Sequence, residues 1–316
     1  MAQRLITVIG GSGFLGRQLV QDLARRGDRI RVAVRRPNDA LFLQPLGTVG
    51  QIQPIAANVR HPGSIARAVA GADGVVNLVG VLYEAGAQRF DAVQAEGAGN
   101  VARAAAAAGV KSLVHVSALG ADAQSASAYA RSKALGEARV RAAFPDAVIL
   151  RPSVVFGPGD GFYNRFAAMA RFSPFLPLIG GGHTRFQPVY VADVSGAIQV
   201  GLDDPAHSGG IYALGGPKTY AMREVLGYIL EQIMAKRLLL PIPFPLASIL
   251  GTCLSLLPHP PLTRDQVRLL KQDNVVPVGV PGLAELGIEP TPVEAVVPDY
   301  LVRYRPHGRF SRPTEV

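Results

Sequence analysis

Three side chains of the kinds used in proton transfer lie close together in this sequence. Ser117 ends the apolar run 113–116, and Tyr129 and Lys133 lie one helical turn apart on one face of a predicted helix. A lysine ammonium beside a tyrosine phenol lowers the pKa of the phenol, so the phenol can exchange a proton with a carbonyl oxygen that the serine holds. The pattern predicts Ser117, Tyr129 and Lys133 as catalytic residues for hydride transfer at a carbonyl carbon.

A glycine-rich turn near the start of the chain predicts a site for the hydride carrier. The apolar run Leu5–Ile9 leads into Gly10-Gly11-Ser12-Gly13-Phe14-Leu15-Gly16, and a helical pattern follows at 17–26. A glycine turn between a strand and a helix is typical of dinucleotide binding. Gly10 allows the tight turn, Gly13 lets the backbone approach a pyrophosphate, and Gly16 permits close contact between helix and strand. The residues expected to contact the cofactor here are Gly10, Gly13, Phe14, Leu15, Gly16 and Arg17.

The end of the second predicted strand favours NADP(H) over NAD(H). Arg35 and Arg36 follow the apolar run 30–34, at the place where an NAD site carries a carboxylate for the ribose 2′-hydroxyl. A guanidinium there pairs with a 2′-phosphate, so the sequence favours NADPH. The alternative is that both arginines are solvated surface charges.

The same residues also permit binding without turnover. Lys133 would then hydrogen-bond the cofactor ribose, and Tyr129 would pack beside the nicotinamide. The sequence leaves both interpretations open, so the catalytic set is either active or vestigial.

The elements that position these residues alternate between strands and helices. Residue patterns predict strands at 5–9, 30–34, 52–56, 74–79, 112–116 and 148–150, and helices at 17–26, 64–70, 90–108, 128–143 and 223–236. This order predicts an α/β fold with a doubly wound parallel sheet, the Rossmann arrangement. Most of the 25 prolines follow Arg151. We therefore expect an NADP(H)-binding domain over 1–155 and a smaller, partly interleaved C-terminal α/β lobe over 156–316.

Composition and charge narrow the class of protein. The chain has 316 residues, 48% of them hydrophobic and 17% charged, which is typical of a folded protein with a sizeable core. Its net charge of +9 suits an anionic membrane surface or an acidic protein partner, and no nucleic-acid module is visible. The six histidines and the single Cys253 lack the spacings of metal sites, so no metal is predicted. Met1–Arg4 lead directly into the first strand, which leaves no room for a signal peptide.

The motifs resemble those of the extended or atypical short-chain dehydrogenases/reductases. Segment 94–100 resembles their N-x-x-G-T-x-N pattern, with departures at Gln94 and Ala98. Within that superfamily the chain is most similar to the NADPH-binding 39 kDa accessory subunits of respiratory complex I and their bacterial counterparts. The more specific stretches are 171–172, 187–191, 240–246, 263–265, 281–283 and 286–288.

The resemblance implies a wider cofactor site and a role for the second lobe. It adds Asn58, Val59, Val79, Gly80 and Pro152 to the expected contacts of the nucleotide, beside Ser117, Tyr129 and Lys133. It also implies that NADPH is a structural cofactor, that the C-terminal lobe docks onto other subunits, and that the protein supports assembly or stability.

The segment 238–257 has twenty residues without a charge. Pro241, Pro243 and Pro245 are expected to restrict the helix to 246–257, about 18 Å, which is too short to cross a membrane. The helix could lie in a membrane interface, fill a groove on a partner, or form ordinary core.

Two hypotheses remain. The first is an accessory subunit of complex I, peripheral on the cytoplasmic face of a bacterial inner membrane, in contact with other subunits and an anionic membrane surface. The second is an NADP(H)-dependent short-chain reductase, or an enzyme resembling sugar-nucleotide epimerases, that acts through Ser117, Tyr129 and Lys133.

Overall fold

The computed structural model describes residues 3–310, and the chain forms two compact units. Unit one consists of residues 3–152, Val191–Leu214 and Val278–Glu289, and unit two contains the remaining described residues. Residues 1–2, part of the expected leaderless start, and 311–316, the end of the predicted lobe, lie outside the described residues. The chain therefore passes from one unit to the other several times.

Residues 3–152 alternate between strands and helices. The elements are β1 (Leu5–Ile9), α1 (Phe14–Arg25), β2 (Arg29–Val34), β3 (Ile52–Ala56), α2 (Pro62–Val69), β4 (Gly74–Asn77), α3 (Glu96–Ala107), β5 (Ser112–Val116), α4 (Ala128–Ala143) and β6 (Val148–Pro152).

The rest of the described chain has shorter strands. The elements are β7 (Val155–Phe156), α5 (Tyr163–Phe172), β8 (Phe175–Ile179), β9 (Arg185–Phe186), β10 (Val189–Tyr190), α6 (Val191–Asp203), β11 (Ile211–Leu214), β12 (Tyr220–Ala221), α7 (Met222–Gln232), β13 (Leu238–Ile242), α8 (Phe244–Leu254), α9 (Arg264–Leu269) and α10 (Val297–Leu301).

Unit one is built on a parallel sheet of seven strands in the order β11-β6-β5-β4-β1-β2-β3. Its central strands are buried, and a core of apolar side chains from β4, β5 and the helices α2, α3 and α4 covers one face. Parallel strands need cover on both faces, which explains their continuous apolar runs. The predicted α/β fold with a doubly wound sheet is confirmed.

Some predicted boundaries are wrong for identifiable reasons. β4 ends at Asn77 rather than at Val79, because the Asn77 side chain accepts a hydrogen bond from the Val79 amide. The predicted helix 90–108 begins with a π turn at Asp91–Ala95, before α3. α7 stops at Gln232, since Met234 has a positive φ of 55°.

Unit two contains three two-stranded ribbons, in which β7 pairs with β10, β9 with β12 and β8 with β13. Its core is formed mainly by α5, α7, β8 and the C-terminal segment around α10, with Tyr163, Phe156 and Leu226 fully buried.

The apolar segment 238–257 forms a strand and a helix. β13 takes up its first part, and α8 begins at Phe244, two residues earlier than expected. Pro245 lies in the first helical turn, where no intrahelical amide bond is lost, so it does not break the helix. Among residues 3–310, no helix is both long enough and apolar enough to cross a membrane.

Candidate nucleotide site

A cleft of about 290 Å³ lies in unit one where β1, β2, β3 and β4 end. Doubly wound sheets bind their ligands in this crevice, beyond the carboxyl ends of the strands. Among the described residues, no carboxylate lines it. The predicted residues that line it are Gly10, Gly13, Arg35, Asn58, Val59, Val79 and Gly80.

The glycines of the turn between β1 and α1 differ in the reason why a side chain is disfavoured at each position. Gly10 has a positive φ of 82°, which side chains disfavour. A Cβ atom on Gly16 would lie 2.5 Å from the backbone of Gly11, so the close approach of α1 to the turn excludes a side chain. A Cβ atom on Gly13 would meet only the Gly10 carbonyl oxygen, at 3.4 Å, so the protein itself leaves that space open.

The open space at Gly13 faces the start of α1. Gly13 is the N-cap of this helix and provides no side-chain cap, so the first helical amides have no capping partner from it. Phe14, Leu15 and Gly16 form the first turn, followed by the exposed Arg17. Uncapped amides with the positive end of the helix dipole are suited to an anion such as a pyrophosphate.

Two guanidinium groups line the end of the cleft near β2 and β3. They belong to Arg35 and Arg60, whereas Arg36, which is exposed like Arg35, does not line the cleft. The Arg60 amide donates to the Asn58 side chain at 3.1 Å, which fixes the backbone between them. The sequence did not indicate Arg60, because it follows the strand end by four residues and stands in no motif.

Ser117 does not line this cleft; it follows β5, the strand next to β4 in the sheet, and is buried. Its amide donates to the Leu150 carbonyl oxygen at 2.7 Å, but its Oγ atom has no hydrogen-bond partner among the described residues. Pro152, at the end of the neighbouring β6, accepts a bond from the Leu119 amide. A buried hydroxyl without a hydrogen-bond partner costs stability unless a ligand or a water molecule bonds to it. Ser117 is therefore suited to a site that binds a polar ligand.

His115 lies two residues before Ser117 on the same face of β5. Burial, with the Lys133 charge nearby, lowers the pKa of His115 to about 3, so the ring is neutral at pH 7. Its Nδ1 atom lies 3.1 Å from the side-chain nitrogen Nδ2 of Asn77. The side-chain oxygen of Asn77 accepts a hydrogen bond from the Val79 backbone amide, so Nδ2 is the donor to the ring. This assigns the proton to Nε2, which has no partner among the described residues.

Tyr129 and Lys133 both lie on α4, and Ser127 caps that helix by accepting from the Ala130 amide. The Lys133 Nζ atom lies 6.0 Å from the centre of the Tyr129 ring and 3.4 Å from the Val116 carbonyl oxygen. A Cβ atom on Gly80 would lie 3.2 Å from the same Nζ. The structure therefore brings Lys133 close to the residue before Ser117 and to the cleft loop at Gly80.

The expected effect of Lys133 on the phenol is wrong for this structure. Burial raises the pKa of Tyr129 to about 12, so desolvation of the phenolate outweighs any attraction from the amine. Burial also lowers the pKa of Lys133 to about 8, although the Glu137 carboxylate acts in the opposite direction. Both side chains are thus held closer to neutrality than in water, and Tyr129 is not prepared to act as a base at pH 7.

Gln94 is a residue whose role the sequence did not reveal, beyond its departure from the family pattern. Its side chain accepts from the Val81 amide at 3.3 Å and donates to Ser132 Oγ at 2.8 Å. Gly136 on α4 packs so closely on the Gln94 carbonyl that a Cβ atom would overlap it. The π turn at Asp91–Ala95 therefore lets Gln94 connect the cleft loop to the helix that carries Tyr129 and Lys133.

Comparison with known proteins agrees with this geometry. The NAD dependent epimerase/dehydratase family matches residues 6–215. The mouse NADH dehydrogenase [ubiquinone] 1 alpha subcomplex subunit 9 is 38% identical over 314 residues, which cover 98% of this chain and 82% of the relative. A ceramide reductase from Caulobacter vibrioides is 35% identical over 194 residues, covering 61% of this chain and 59% of that protein.

Solved structures share the fold. The dTDP-glucose 4,6-dehydratase DesIV of Streptomyces venezuelae, with NAD bound, superposes with a TM-score of 0.73 at 21% identity, covering 95% of this chain and 96% of that one.

Proposed function

Because this chain belongs to the NAD dependent epimerase/dehydratase family, and within it to the group that includes the subunit 9 proteins of NADH dehydrogenase, we propose that it is an accessory subunit of respiratory complex I that holds NADP(H) as a structural cofactor. The observation that carries the proposal is the 38% identity over 98% of the chain. Such a match extends through unit two, whereas the match to the wider family ends at residue 215.

The described residues fit a nicotinamide dinucleotide. Gly13 leaves space against uncapped helical amides for the pyrophosphate, and the buried Ser117 hydroxyl, just after β5, has no hydrogen-bond partner within residues 3–310. We assign the ribose and nicotinamide side to Ser117, Tyr129 and Lys133, near Gly80 and Pro152. When bound, the nicotinamide can give or accept a hydride.

The charge of the cleft supports NADP(H) over NAD(H). Arg35 and Arg60 line it without a carboxylate, and neither forms an ion pair within residues 3–310. A free guanidinium pairs with a 2′-phosphate dianion, whereas a 2′-hydroxyl offers it no charge.

We place the protein at the cytoplasmic face of a bacterial inner membrane, attached peripherally. Its partners would be other subunits of complex I and the anionic membrane surface beside them. The net charge of +9 supports an anionic surface.

The proposal is tested by expressing the full chain with an affinity tag in its native cell. The membranes are then solubilised in a mild detergent. We expect the tag to migrate with NADH:quinone oxidoreductase activity at the mass of the whole complex. Acid extracts of the tagged complex should contain NADP(H), detected by mass spectrometry. Extracts with NAD(H) alone would overturn the cofactor assignment, and migration as a free monomer or homodimer would overturn the subunit assignment.

Charge reversal locates the 2′-phosphate site. The variants Arg35→Glu and Arg60→Glu should each reduce the nucleotide content by about tenfold or more, since repulsion replaces an ion pair. Arg36→Glu is the matched control, because it reverses a neighbouring exposed charge that does not line the cleft.

A reductase acting on a small carbonyl or alcohol is the second candidate. The Tyr129 and Lys133 pair on α4 and the similarity to a ceramide reductase favour it. Rapid exchange of nucleotide by a soluble form of the chain, with turnover lost in Tyr129→Phe, would decide for this candidate.

A further inference from the structure

Three large apolar side chains of α8, together with Cys253, face solvent, which is the reverse of a normal surface helix. Leu246, Ile249, Leu250 and Cys253 recur at the spacing of one helical stripe, and all four are exposed, Ile249 to 62%. The buried positions of this helix are the small residues Ala247 and Gly251. A Cβ atom on Gly251 would lie 2.9 Å from the backbone of Thr263 and Arg264, so the helix packs on α9 through its small face.

The hydroxyl groups of this helical segment all bond to the backbone of the helix itself. Ser248, Thr252 and Ser255 each donate to the backbone carbonyl four residues earlier. An exposed helix in water has no need for such bonds, whereas a helix in an apolar medium must satisfy its donors internally. The exposed stripe itself carries no hydroxyl group.

The ribbon of β8 and β13 continues this pattern within unit two. Leu238 pairs with Phe175 in register, and both are exposed, as is Leu240 on the same face of β13. Phe172, just before β8, is 89% exposed. A parallel ribbon is normally covered on both faces, so an exposed apolar face is typical of an interaction site.

The charged residues of these segments indicate what kind of surface covers the exposed apolar side chains. The segments that carry these side chains contain no acidic residue between Asp160 and Asp193, or between Glu231 and Asp265. They do contain cations, and within residues 3–310 none of these is paired with a carboxylate. The cations are Arg165, Arg171, Arg185, Lys236, Arg237 and Arg264.

We propose that the exposed stripe of α8 and the outer face of the β8–β13 ribbon form a lipid-binding surface, through which this chain by itself inserts into the interface of an anionic bilayer. Apolar side chains enter the acyl boundary while the flanking arginines and lysines contact anionic headgroups. α8 has eleven residues, enough to lie in the interface but not to span it. This inference rests on the membrane location in the proposed function and gives this chain its own means of attachment.

Flotation of the purified full chain with vesicles tests the inference. We expect binding to vesicles of phosphatidylcholine with phosphatidylglycerol, and at least tenfold weaker binding to phosphatidylcholine alone or in 0.5 M salt. The double variant Leu246→Glu/Ile249→Glu should bind the anionic vesicles at least tenfold more weakly, since two exposed apolar side chains become charged. Val49→Glu is the matched control, because it charges an exposed apolar residue of unit one.

Each outcome bears on the inference separately from the subunit assignment. Absence of vesicle binding by the wild-type chain, or equal binding by the double variant, overturns the lipid surface even where the tagged chain still migrates with complex I. If the double variant leaves the complex while the wild type ignores vesicles, the surface docks onto protein and the inference is wrong. Binding to vesicles by a chain absent from complex I would overturn the subunit assignment alone. Thermal unfolding of both variants near that of wild type shows that the loss is not misfolding.

Discussion

At the scale of single residues, Gly13 and Gly16 occupy equivalent places in the glycine pattern but meet different surroundings. We predict that Gly16→Ala destabilises the nucleotide-free protein, because its methyl group would collide with the backbone of Gly11. Gly13→Val should change the stability of the nucleotide-free protein by only about 1 kcal/mol, since the protein leaves that space open, but should abolish nucleotide binding. Urea unfolding and nucleotide content measure both, and a strongly destabilised Gly13→Val protein would contradict the interpretation.

The buried amine of Lys133 makes a testable contribution to the pH dependence of stability. Its pKa falls from 10.5 to about 8 on burial, so the unfolded chain holds the proton more tightly than the folded one. The cost of burying this charge is fully present below pH 8 and is relieved as the pH rises towards 10.5. We predict that Lys133→Met stabilises the nucleotide-free protein at pH 7 by about 3 kcal/mol at most, and that this advantage disappears towards pH 10.5. A difference from wild type that stays constant with pH in urea unfolding would refute the prediction.

Residues that act through type and local spacing could be predicted, and those that act through tertiary placement could not. Gly10 and Arg35 were predicted from a turn and a strand end, Gly80 was implied by the family resemblance, and all three line the cleft. Arg60 enters the cleft because the backbone folds around Asn58, and Gln94 reaches Val81 because a π turn displaces it. Neither arrangement leaves a pattern in the sequence.

At the scale of elements, the same distinction separates the two units. β1, β3, β5 and α4 lie at their predicted bounds, because buried parallel strands and a capped helix are local patterns. The two-residue strands of unit two exist only through their partners, as in the pairing of Tyr220 with Phe186, and no local preference marks them. β11 completes the main sheet from beyond α6.

The connection between α4 and β6 depends on a partly buried ion pair. Both nitrogens of the Arg151 fork reach the buried Glu137 carboxylate, at 2.9 and 2.6 Å. We predict that Arg151→Met destabilises the protein by about 3 kcal/mol, because the carboxylate loses its cation, and that adding Glu137→Gln restores most of this. The control Lys111→Met breaks an exposed pair with Asp73 and should cost less than about 1 kcal/mol. Equal effects of Arg151→Met and Lys111→Met on thermal unfolding would contradict the prediction.

At the scale of the whole molecule, the interleaved chain determines which variants can test the role of one unit without damaging the other. A truncation after Asp204 removes β11 and residues 278–289 of unit one, and it removes all of unit two except Ser153–Tyr190. It would expose the edge of β6 and damage the nucleotide-binding unit itself. Point substitutions on the surface of unit two leave the sheet intact and are the cleaner test of docking.

The Tyr129 phenol is the group whose removal shows whether the nucleotide site performs chemistry. Burial keeps the Tyr129 phenol protonated, with a pKa of about 12, and Tyr129→Phe retains a ring that can pack edge-on against Phe90. We therefore expect Tyr129→Phe membranes to show NADH:quinone electron transfer near the wild-type rate, whereas deletion of the chain should impair it. A general acid typically contributes a factor of about 10² to 10⁴ to a rate. A loss of about a hundredfold or more in Tyr129→Phe membranes, at unchanged abundance of the subunit, would show that this phenol takes part in the reaction and would favour the enzyme over the structural subunit.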